Sequence, residues 1–438
     1  MELSSIIKEA GIVGAGGAGF PSYAKLADGA DTLLINGSEC EPLLYTDYFI
    51  LKTAFDEVVE GIKIVKDFLK VENALLCIKQ HTADKLSLGE GEVLDFGISV
   101  KVLPNVYPMG DEISMIYEAL GRVVKPGNLP ITAGVIVYNV ETVYNVFKAV
   151  KYGNSVVEKY VMIGGNVQNP IVAKVPVGTP VISLFNKYGI TVDENSTVLD
   201  GGPSMGKIIN IYKAVVTKTT KSLLVLPNST TAIACKKINA KTSIARAETA
   251  CCQCMRCTDL CPRGLLGYPL EPHKMVRTAA HAVSIIPDMV LAATLCCGCG
   301  ICEALACCQG ISPRAVISEY KALLAKNKKR FVGTKEIEAK VERNYRMIPS
   351  DRWSSVLGVL KYDKMPKFVG EDFNYDKVEI LLSQHIGAPS VAIVKNGDIV
   401  KKGQKIAESA SGLSLPQYAS IDGVVSVQEN KIIITKVN

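Results

Sequence analysis

Apolar positions in the first 150 residues alternate between short continuous runs and groups with helical spacing. The continuous runs at 33–36, 74–78 and 134–139 have the length and composition of buried strands. Residues 54–69 instead space their apolar side chains so that they fall on one side of a helix. Strands that alternate with helices predict an α/β domain in this part of the chain.

The pattern changes after this first part of the chain. Residues 155–225 contain short β-rich runs broken by glycine and proline, followed by a helix-like segment, which predicts a small α+β module. Residues 316–346 are charged and helical in period, whereas 377–438 return to short strands separated by turns such as Asn396-Gly397. Short strands with such regular turns predict a small β-sandwich or barrel.

Composition and charge narrow the class of protein. A length of 438 residues suggests two to four domains, and 48% hydrophobic with 21% charged residues is ordinary for a folded, soluble protein. The net charge of +6 is mild for this length and does not indicate binding to nucleic acid. The first residues lack a basic segment followed by a long apolar one, so no secretory signal is expected.

Cysteines are concentrated in one segment: of fourteen, eleven lie between Cys251 and Cys308. A secreted disulfide framework would spread its cysteines through a short chain, so this crowding favours metal ligation in a reducing compartment. The apolar stretch 281–308 has only Asp288 and Glu303 as charged residues, which could suggest a membrane helix. Its glycines, cysteines and single proline favour a peptide that wraps and shields a cluster, so no transmembrane segment is expected.

The first cysteine run begins at Cys251 and has the spacing C-x2-C-x2-C-x3-C-P, which is that of bacterial ferredoxins. Three thiolates with this spacing can coordinate one cubane iron–sulfur cluster. The fourth thiolate follows a turn and reaches a second cubane cluster. The second run, from Cys296 to Cys307, has the spacing C-x2-C-x2-C-x4-C, with one extra residue before its last cysteine.

Ligand sets for two [4Fe–4S] clusters follow from the cross-over rule of two-cluster ferredoxins. The first predicted set is Cys251, Cys254, Cys257 and Cys307, and the second is Cys296, Cys299, Cys302 and Cys261. Cys308 is the alternative to Cys307 as a ligand of the first cluster. The alternative chemistry is a pair of zinc sites, but zinc ribbons use two separated C-x2-C pairs rather than a three-cysteine run followed by Cys-Pro.

Iron–sulfur clusters transfer single electrons, so they need both an electron donor and an electron acceptor. A nicotinamide nucleotide delivers two electrons at once as hydride, and a flavin usually converts this two-electron transfer into single-electron steps. The candidate flavin site is the loop from Gly11 to Pro21, where five glycines among nine residues let the backbone approach an anionic ligand. A Rossmann fingerprint is rejected, because no strand precedes the loop and Phe20-Pro21 interrupts the helix that should follow.

The same loop, GAGGAGFPSYAK, resembles the GxGGAGFP loop of the flavin-binding subunit of respiratory complex I and of RnfC-type proteins. Three further segments resemble that family in the same order: INGSECEP at 35–42, YPMGDE at 107–112 and YNVETV at 138–143. The resemblance implies a domain that binds FMN and leaves room for NADH above it. Ala15 and Ser38 depart from the complex I pattern, which has an arginine and a second acidic residue there, and this bears on the nucleotide more than on FMN.

The resemblance also implies roles for individual residues. The FMN phosphate and ribityl chain would be cradled by Gly14, Gly16, Gly17 and Lys25. The flavin ring would be contacted by Asn36 and Glu39, with Gly110 in the same cofactor-binding set and Asn139 and Thr142 on the far side. The nicotinamide nucleotide would be bound by Glu41 and Glu112, with Phe20 packed against it. No side chain is assigned a covalent catalytic role, since the cofactors carry the chemistry.

A segment at 381–409 resembles the barrel-sandwich domain that precedes the flavin domain in RnfC proteins. Its position after the cysteine region resembles the domain order of PduS-type cobalamin reductases, as does the C-x4-C spacing of the second cysteine run. DGGPSMG at 200–206 resembles the SLBB-type module of the same family. No lysine occupies 420–423, where biotinyl and lipoyl hammerheads carry their group, so a docking or scaffold role is expected.

The predicted fold class is multidomain, with α/β and α+β parts. The predicted domains are a complex-I-type FMN/NADH-binding α/β domain at 1–150, an SLBB-like β-grasp module at 151–232, a two-cluster ferredoxin-like helical domain at 233–320, a charged helical connector at 321–376, and a barrel-sandwich, hammerhead-like β domain at 377–438.

The predicted function is electron transfer from NADH through FMN and two [4Fe–4S] clusters to a partner redox protein. The resemblance leaves that partner open among a corrinoid enzyme, another reductase and Rnf-type subunits. The competing hypothesis is a non-enzymatic electron conduit in an Rnf-type complex or in an amino-acid reductase such as proline reductase. The expected location is the cytoplasm, including the interior of a bacterial microcompartment or the periphery of a membrane complex, and a homo-oligomer is an open alternative to a monomer.

Two further features have two interpretations each. Cys40, between Glu39 and Glu41, is either a redox-active thiol or a small buried residue, of which the second is favoured. The basic segment 326–330 is either a docking site for an acidic redox partner or a solvated helical face, of which the second is favoured.

Overall fold

A computed structural model describes residues 2–281 and 287–437. The N-terminal α/β unit consists of α1 (Leu3–Glu9), β1 (Thr32–Asn36), α2 (Thr46–Thr53), α3 (Phe55–Leu69), β2 (Asn73–Lys79), α4 (Gln80–Leu86), β3 (Val93–Leu94), β4 (Ile98–Leu103), β5 (Val106–Tyr107), α5 (Glu112–Leu120), β6 (Val135–Asn139) and α6 (Val140–Tyr152). Five strands form a sheet in the order β3-β4-β2-β1-β6, in which β4, β2, β1 and β6 are parallel.

The three strands predicted from continuous apolar runs are confirmed as β1, β2 and β6. The predicted helix is confirmed as α3, which buries its apolar side against the sheet and α6. The fourth parallel strand, β4, was missed, because its sequence ISVKVL mixes polar and apolar residues and half of its positions are only partly buried. Parallel strands covered by helices on both faces therefore make up the predicted α/β architecture.

The second unit consists of β7 (Glu158–Gly165), β8 (Ile171–Pro176), α7 (Val181–Lys187), β9 (Ser196–Asp200), β10 (Lys207–Ile208), β11 (Ser222–Pro227) and α8 (Thr231–Lys237). The cysteine-rich unit consists of α9 (Ala240–Ala250), α10 (Arg256–Asp259), α11 (Pro262–Leu265), α12 (Pro272–His281), α13 (Pro287–Leu291) and α14 (Pro313–Lys326). Its two cysteine runs form loops between these short helices, with a π-helical turn at Cys302–Ala306.

The helix predicted over 316–346 is confirmed up to Lys326, where α14 ends, and in a short helix at Arg343–Arg346, but it is wrong for the residues between them. Residues 327–342 form no regular helix or strand, and some of their backbone amides bond to other units instead. The Gly333 amide donates to the Pro126 carbonyl (2.7 Å), and the Lys340 amide donates to the Leu265 carbonyl (2.9 Å). The remaining elements before the last unit are α15 (Arg343–Arg346), β12 (Ile348–Pro349), α16 (Ser350–Val356) and β13 (Lys367–Glu371).

Two of these late strands return to earlier units. Strand β13 pairs with β8 and completes a six-stranded sheet in the order β10-β9-β11-β7-β8-β13, so part of the predicted connector lies in the sheet of the second unit. Strand β12 pairs with β5, which places Trp353 in a stack on Tyr107, with ring centroids 4.8 Å apart.

The last unit is made of short strands, as predicted for this part of the chain. They are β14 (Lys377–Leu381), β15 (Val391–Ala392), β16 (Ile399–Val400), β17 (Lys405–Glu408), β18 (Gln417–Tyr418), β19 (Gly423–Val427) and β20 (Lys431–Thr435). They form a four-stranded sheet in the order β14-β20-β19-β16 and a three-stranded sheet in the order β15-β17-β18 around a shared apolar core. Within 2–281 and 287–437, no helix has both the length and the apolarity that a membrane crossing requires.

Candidate functional site

Two predicted site asparagines stand side by side at the carboxyl ends of neighbouring parallel strands. Asn36 of β1 and Asn139 of β6 are register partners, and the Asn139 Nδ2 donates to the Asn36 carbonyl at 3.0 Å. The Asn139 Oδ1 accepts from the Glu141 amide at 3.0 Å and so caps α6. Ligands of open α/β sheets bind outside the carboxyl ends of the strands, at the point where the connections from neighbouring strands leave in opposite directions. Strand β1 is at such a point, since it lies between β2 and β6.

The glycine-rich loop closes on itself over this edge. Val13 and Pro21 form an isolated β-bridge, and the Gly14 amide donates to the Phe20 carbonyl at 2.8 Å. The loop therefore returns to its starting point within a few residues, with no strand before it and a short 3₁₀ helix, Ser22–Lys25, after it. This geometry agrees with the rejection of a Rossmann fingerprint.

The middle of the loop contacts the start of α6 through a hydrogen bond and close packing. The Ala15 amide donates to Thr142 Oγ1 at 3.1 Å, and a Cβ added at Gly16 would lie 3.1 Å from Asn139. A Cβ added at Gly17 would meet nothing within 4 Å. The loop thus brings Gly16 and Gly17 together with Asn139 and Thr142, and it leaves open space at Gly17. We call the region bounded by Gly14–Gly17, Lys25, Asn36 and Asn139 the sheet-edge crevice.

Lys25 and Glu112 meet at this crevice. The Lys25 Nζ donates to Glu112 Oε1 at 3.2 Å and to the carbonyl of Val137, in β6, at 3.0 Å. Their side chains are 30% and 37% exposed, so this ion pair is partly screened by solvent. Glu112 is the first residue of α5, and its position follows from Asp111, which caps that helix by accepting from the Ser114 amide at 3.3 Å.

Gly110 is required by close packing. Its carbonyl accepts from Asn36 Nδ2 at 3.0 Å, and an added Cβ would lie 2.5 Å from the Ser38 carbonyl oxygen and 2.9 Å from Cys40 Sγ. Burial raises the pKa of the Cys40 thiol to about 12, which favours the interpretation of Cys40 as a small buried residue.

Glu39 points toward the start of α2. Its carboxylate accepts from Thr46 Oγ1 at 2.7 Å and from the Tyr48 amide at 3.2 Å. Burial, and next the neighbouring Asp47 carboxylate, raise the pKa of Glu39 to about 6. Asp47 also accepts from Asn139 Nδ2 at 3.0 Å and pairs with Lys221 at 2.5 Å. Asp47 and Lys221 were missed, because no motif includes them and Lys221 comes from the second unit.

Glu41 lies between the N-terminal unit and the second unit, next to a tyrosine that bonds to a cysteine loop. Its Oε2 accepts from the Ser204 amide at 2.8 Å, and its Oε1 lies 3.2 Å from the Tyr107 hydroxyl. That hydroxyl also lies 2.8 Å from the Cys299 carbonyl oxygen. Burial raises the pKa of Glu41. The structure therefore places Glu41 beside a cysteine loop, with both carboxylate oxygens engaged, rather than with Lys25 and Glu112.

Four predicted cluster ligands, Cys261, Cys296, Cys299 and Cys302, come together in what we call the buried cysteine group. Burial raises the pKa of Cys261 to about 12, and the nearby Cys296 adds to that rise. Burial also raises the pKa of Cys302, with contributions from Cys296 and Cys261 nearby. The last cysteine of the first run, Cys261, therefore lies near cysteines of the second run.

The other four predicted ligands, Cys251, Cys254, Cys257 and Cys307, come together in what we call the exposed cysteine group. Burial raises the pKa of Cys257 to about 12, and the other three cysteines, all close to it, add to that rise. Cys251 and Cys307 pack against the small apolar core between α9, α12 and α14, whereas Cys254 is solvent-exposed.

The alternative ligand Cys308 is also close to the exposed cysteine group. The Sγ atoms of Cys252, Cys254 and Cys308 lie within 4.8 Å of one another, and all three residues are exposed. The choice between Cys307 and Cys308 therefore stays open, because each lies next to a predicted ligand.

The buried cysteine group is the one that contacts the N-terminal unit. Besides the approach of Tyr107 to Cys299, the Asp111 carboxylate pairs with Arg263 at 2.7 Å, and Arg263 follows the Cys261-Pro262 step. Asp111 and Tyr107 stand within the YPMGDE segment, whose resemblance to a flavin-site motif signalled importance but not this contact.

Comparison with known families agrees with this geometry. Residues 7–148 match the Nuo51 FMN-binding domain, 250–312 match the 4Fe-4S dicluster domain, and 369–436 match the RnfC barrel sandwich hybrid domain. The fold and the two cysteine groups define a flavin- and iron–sulfur-dependent electron-transfer protein. The zinc alternative is thereby set aside.

Relatives of nearly the same length identify the family. The cobalamin reductase PduS of Citrobacter freundii is 36% identical over 98% of this chain and 95% of its own length. The PduS of Salmonella typhimurium is 36% identical over 99% of this chain and 96% of its own length. A component of the ion-translocating oxidoreductase complex of Rhodobacter capsulatus is 32% identical over 62% of this chain and 51% of its own length. This chain belongs to the PduS family of the RnfC-like proteins and is an oxidoreductase.

Proposed function

We propose that this chain oxidises NADH and passes the electrons singly to a partner redox protein, with FMN in the sheet-edge crevice and one [4Fe–4S] cluster in each cysteine group. The observation that supports this most directly is the contact between the two sites. Both contacts start from the segment that resembles a flavin-site motif. The Tyr107 hydroxyl donates to the Cys299 carbonyl, and the Asp111 carboxylate accepts from the Arg263 guanidinium at the buried cysteine group.

The residues of the crevice fit FMN. The open space at Gly17 can accept a bulky group, and the buried hydroxyls of Ser22 and Ser38 lack a hydrogen-bond partner among the described residues. Lys25 can exchange Glu112 for a phosphate oxygen, because a phosphate is a stronger acceptor than a half-exposed carboxylate. When bound, FMN takes up two electrons as hydride and releases them one at a time.

For the nicotinamide nucleotide, Phe20 and Glu112 are better placed than Glu41. Phe20 is partly exposed at the end of the glycine loop, and Glu112 is 37% exposed beside Lys25. Glu41 would first have to give up its bonds with Ser204 and Tyr107 in a buried environment, which is costly for a charged group. We therefore assign Glu41 to the link with the buried cysteine group.

The eight predicted thiols are suited to coordinate two [4Fe–4S] clusters. Each cysteine group offers four sulfurs from two loops, and thiolate is the ligand that such clusters use. The buried group would be the one next to the flavin, and the exposed group would be the one from which electrons leave. This order follows from burial: Cys261, Cys299 and Cys302 are buried, whereas Cys254 is exposed.

The first test is a spectrum of anaerobically purified protein before and after NADH is added. We expect bound FMN, about eight irons per chain on the ferredoxin assignment, and bleaching of the flavin band followed by cluster reduction. Protein with flavin but without NADH bleaching would support the electron-conduit alternative. Protein without iron and sulfide would overturn the cluster assignment.

The second test separates the clusters. Cys299→Ala, in the buried group, should leave flavin reduction by NADH intact but stop electrons from reaching the remaining cluster. Cys254→Ala, in the exposed group, should leave the buried cluster reducible, as seen by electron paramagnetic resonance. Equal reduction of the remaining cluster in both variants would contradict the order. Iron counts of Cys307→Ser and Cys308→Ser then identify the fourth ligand.

The proposed acceptor is a corrinoid, because the full-length relatives are named cobalamin reductases. Anaerobic NADH oxidation should accelerate when cob(III)alamin is added. A rate that does not respond to corrinoid would favour the second candidate, a conduit to partner subunits, which the ion-translocating relative suggests.

We also propose the finer assignments of fold and place. Residues 151–232 would form an SLBB-like β-grasp module, and 377–438 a hammerhead-like domain that serves as a scaffold. The boundaries at 150, 232, 320 and 376 are proposed on sequence pattern. The protein would work in the cytoplasm, within a microcompartment or beside a membrane complex.

A further inference from the structure

Three arginines surround the exposed cysteine group. Arg246 of α9, Arg256 at the start of α10 and Arg277 of α12 are all solvent-exposed. They come from three different helices, so their convergence is a property of the fold rather than of a basic stretch in the sequence. We call the surface formed by residues 252–256 and 308–310 with Arg246 and Arg277 the arginine face.

Hydrogen bonds hold two of these arginines against the cysteine loops. The Arg246 Nη1 donates to the carbonyl of Gly310, two residues after Cys308, at 2.8 Å. The Arg277 Nη1 donates to Oε1 of Gln253, in the first cysteine loop, at 3.2 Å. Arg256 follows directly on Met255 in the same loop. The positive charges therefore lie at the edge of the exposed cysteine group.

These three charges have no salt-bridge partner in the part of the chain whose side chains the structure describes. Among the residues whose side chains the structure describes, none of the three arginines forms a salt bridge, whereas the nearby Arg263 and Lys274 both do. Glu248 follows Arg246 by two positions, which is about 200° around the helix and places it on another face. Because the charges remain unpaired in solvent, they are free to attract an anionic surface.

The centre of this surface is apolar. The Met255 side chain is 44% exposed, and Met255 stands at φ +62°, which turns it outward between two predicted ligands. An exposed methionine surrounded by arginines has the composition of an interface core with a charged rim, since both residue types are enriched at interfaces. Such a small patch suits a transient electron-transfer encounter, which buries little area.

We propose that the arginine face is the docking surface for an acidic electron-transfer protein, which exchanges single electrons with the exposed cysteine group. This proposal rests on the proposed function, in which the exposed group is the last in the chain of electron carriers. Electrostatic steering by the arginines would raise the encounter rate, and Met255 would pack against the partner once it arrives. The basic segment 326–330, considered from the sequence, lies instead at the far end of α14, about 20 Å along that helix.

The test uses chemically reduced plant-type ferredoxin, a small acidic [2Fe–2S] protein, as the probe. Stopped-flow mixing with the oxidised full chain measures the second-order rate of electron entry, and calorimetry with oxidised ferredoxin measures the dissociation constant. The triple variant R246Q/R256Q/R277Q should lower the rate and weaken binding by roughly tenfold at low ionic strength. Added salt should slow the native protein but barely affect the variant.

The matched control is K326Q/K328Q/K329Q, which removes the same charge from the far end of α14. We expect its rate and dissociation constant to stay near those of the native protein. Iron content and the paramagnetic resonance spectrum must match the native protein in every variant. If R256Q disturbs the adjacent Cys257, the double variant R246Q/R277Q makes the same test.

Two results would overturn the proposal: a triple variant with native rate, affinity and salt dependence, or a control variant that loses as much as the triple variant. The assay does not use NADH or flavin. A chain that fails to oxidise NADH therefore still reports on the arginine face, which separates failure of this proposal from failure of the proposed function.

Discussion

At the scale of single residues, the glycines of the candidate flavin site serve different physical needs. Gly110 cannot carry a side chain, because an added Cβ would clash with the Ser38 carbonyl and Cys40 Sγ. Packing therefore requires a glycine at this position. Gly17 has open space where its side chain would be, so packing does not explain it. The sequence motif could not distinguish these two cases, because it records the residue and not the neighbours that surround it.

Gly17→Ala should therefore weaken FMN binding without weakening the fold. The added methyl group would occupy the space proposed for the cofactor, and we expect a loss of roughly tenfold in affinity, or about 1.4 kcal/mol. The unfolding free energy without FMN should change by less than about 0.5 kcal/mol, as for a surface substitution. Fluorescence titration with FMN and thermal melting measure the two quantities.

The matched control for this prediction is Gly89→Ala, at an exposed loop glycine whose added Cβ would come no closer than 3.7 Å to another atom. It should leave both quantities unchanged. Native FMN affinity in Gly17→Ala would show that the cofactor does not use the open space at this position.

At the scale of elements, one contact joins the α5 turn to the buried cysteine group. Asp111 caps α5 and also pairs with Arg263, which is 152 positions away in the chain. Both side chains are mostly buried, at 12% and 14% exposure, so each is a poor place for an unpaired charge. The sequence could predict a helix start at Asp111 and a cluster loop at Arg263, but not that the two meet.

Removing either partner should destabilise the protein strongly. Asp111→Asn and Arg263→Gln should each cost about 3 kcal/mol, because each leaves the other charge buried and unpaired. The double variant should cost less than the sum, with a coupling of about 1–3 kcal/mol. Anaerobic unfolding of the four proteins of this double-mutant cycle measures the coupling.

A surface ion pair provides the comparison for this cycle. Asp31 pairs with Arg122 at 2.7 Å, but the two side chains are 57% and 38% exposed. The same cycle there should give a coupling below about 1 kcal/mol. Additive costs for Asp111 and Arg263 would mean that the buried pair does not act as a unit.

At the scale of the whole molecule, the second and last units together hold the two ends of the glycine-rich loop. The Lys218 Nζ donates to the Gly11 carbonyl at 2.9 Å and lies 3.3 Å from the Pro416 carbonyl. At the other end of the loop, the Ile386 amide donates to the Gly19 carbonyl at 3.1 Å. The first and last units of the chain thus share one interface, with Lys218 of the second unit buried in it.

Lys218 should make stability depend on pH. Burial lowers the pKa of Lys218 to about 7, below that of a lysine in the unfolded chain. Between pH 7 and about 10 the unfolded chain therefore binds more protons than the folded one, and the unfolding free energy should rise with pH by up to about 1.4 kcal/mol per unit. Below pH 7 lysine is charged in both states, so this contribution is constant.

Melting temperatures between pH 7 and 10 test this prediction. Lys218→Met should remove much of the rise seen in the native protein, whereas Lys241→Met, at an exposed position of α9, should retain it. Parallel pH curves for the native protein and Lys218→Met would show that the rise comes from other groups.

The sequence by itself determined the local parts of this protein. Continuous apolar runs predicted β1, β2 and β6, and the cysteine spacings predicted which thiols share a loop, because both patterns depend on neighbours along the chain. The same local logic failed after Lys326, where backbone bonds to Pro126 and Leu265 replace a helix that the charge pattern favours.

Tertiary structure alone decided how these parts face one another. It turned Glu41 toward Ser204 and Tyr107 instead of the crevice, and it buried one cysteine group against the N-terminal unit while leaving the other partly exposed. The physical reason is that burial and charge pairing depend on residues far apart in the chain. Those contacts exist only after the units pack, so no local pattern records them.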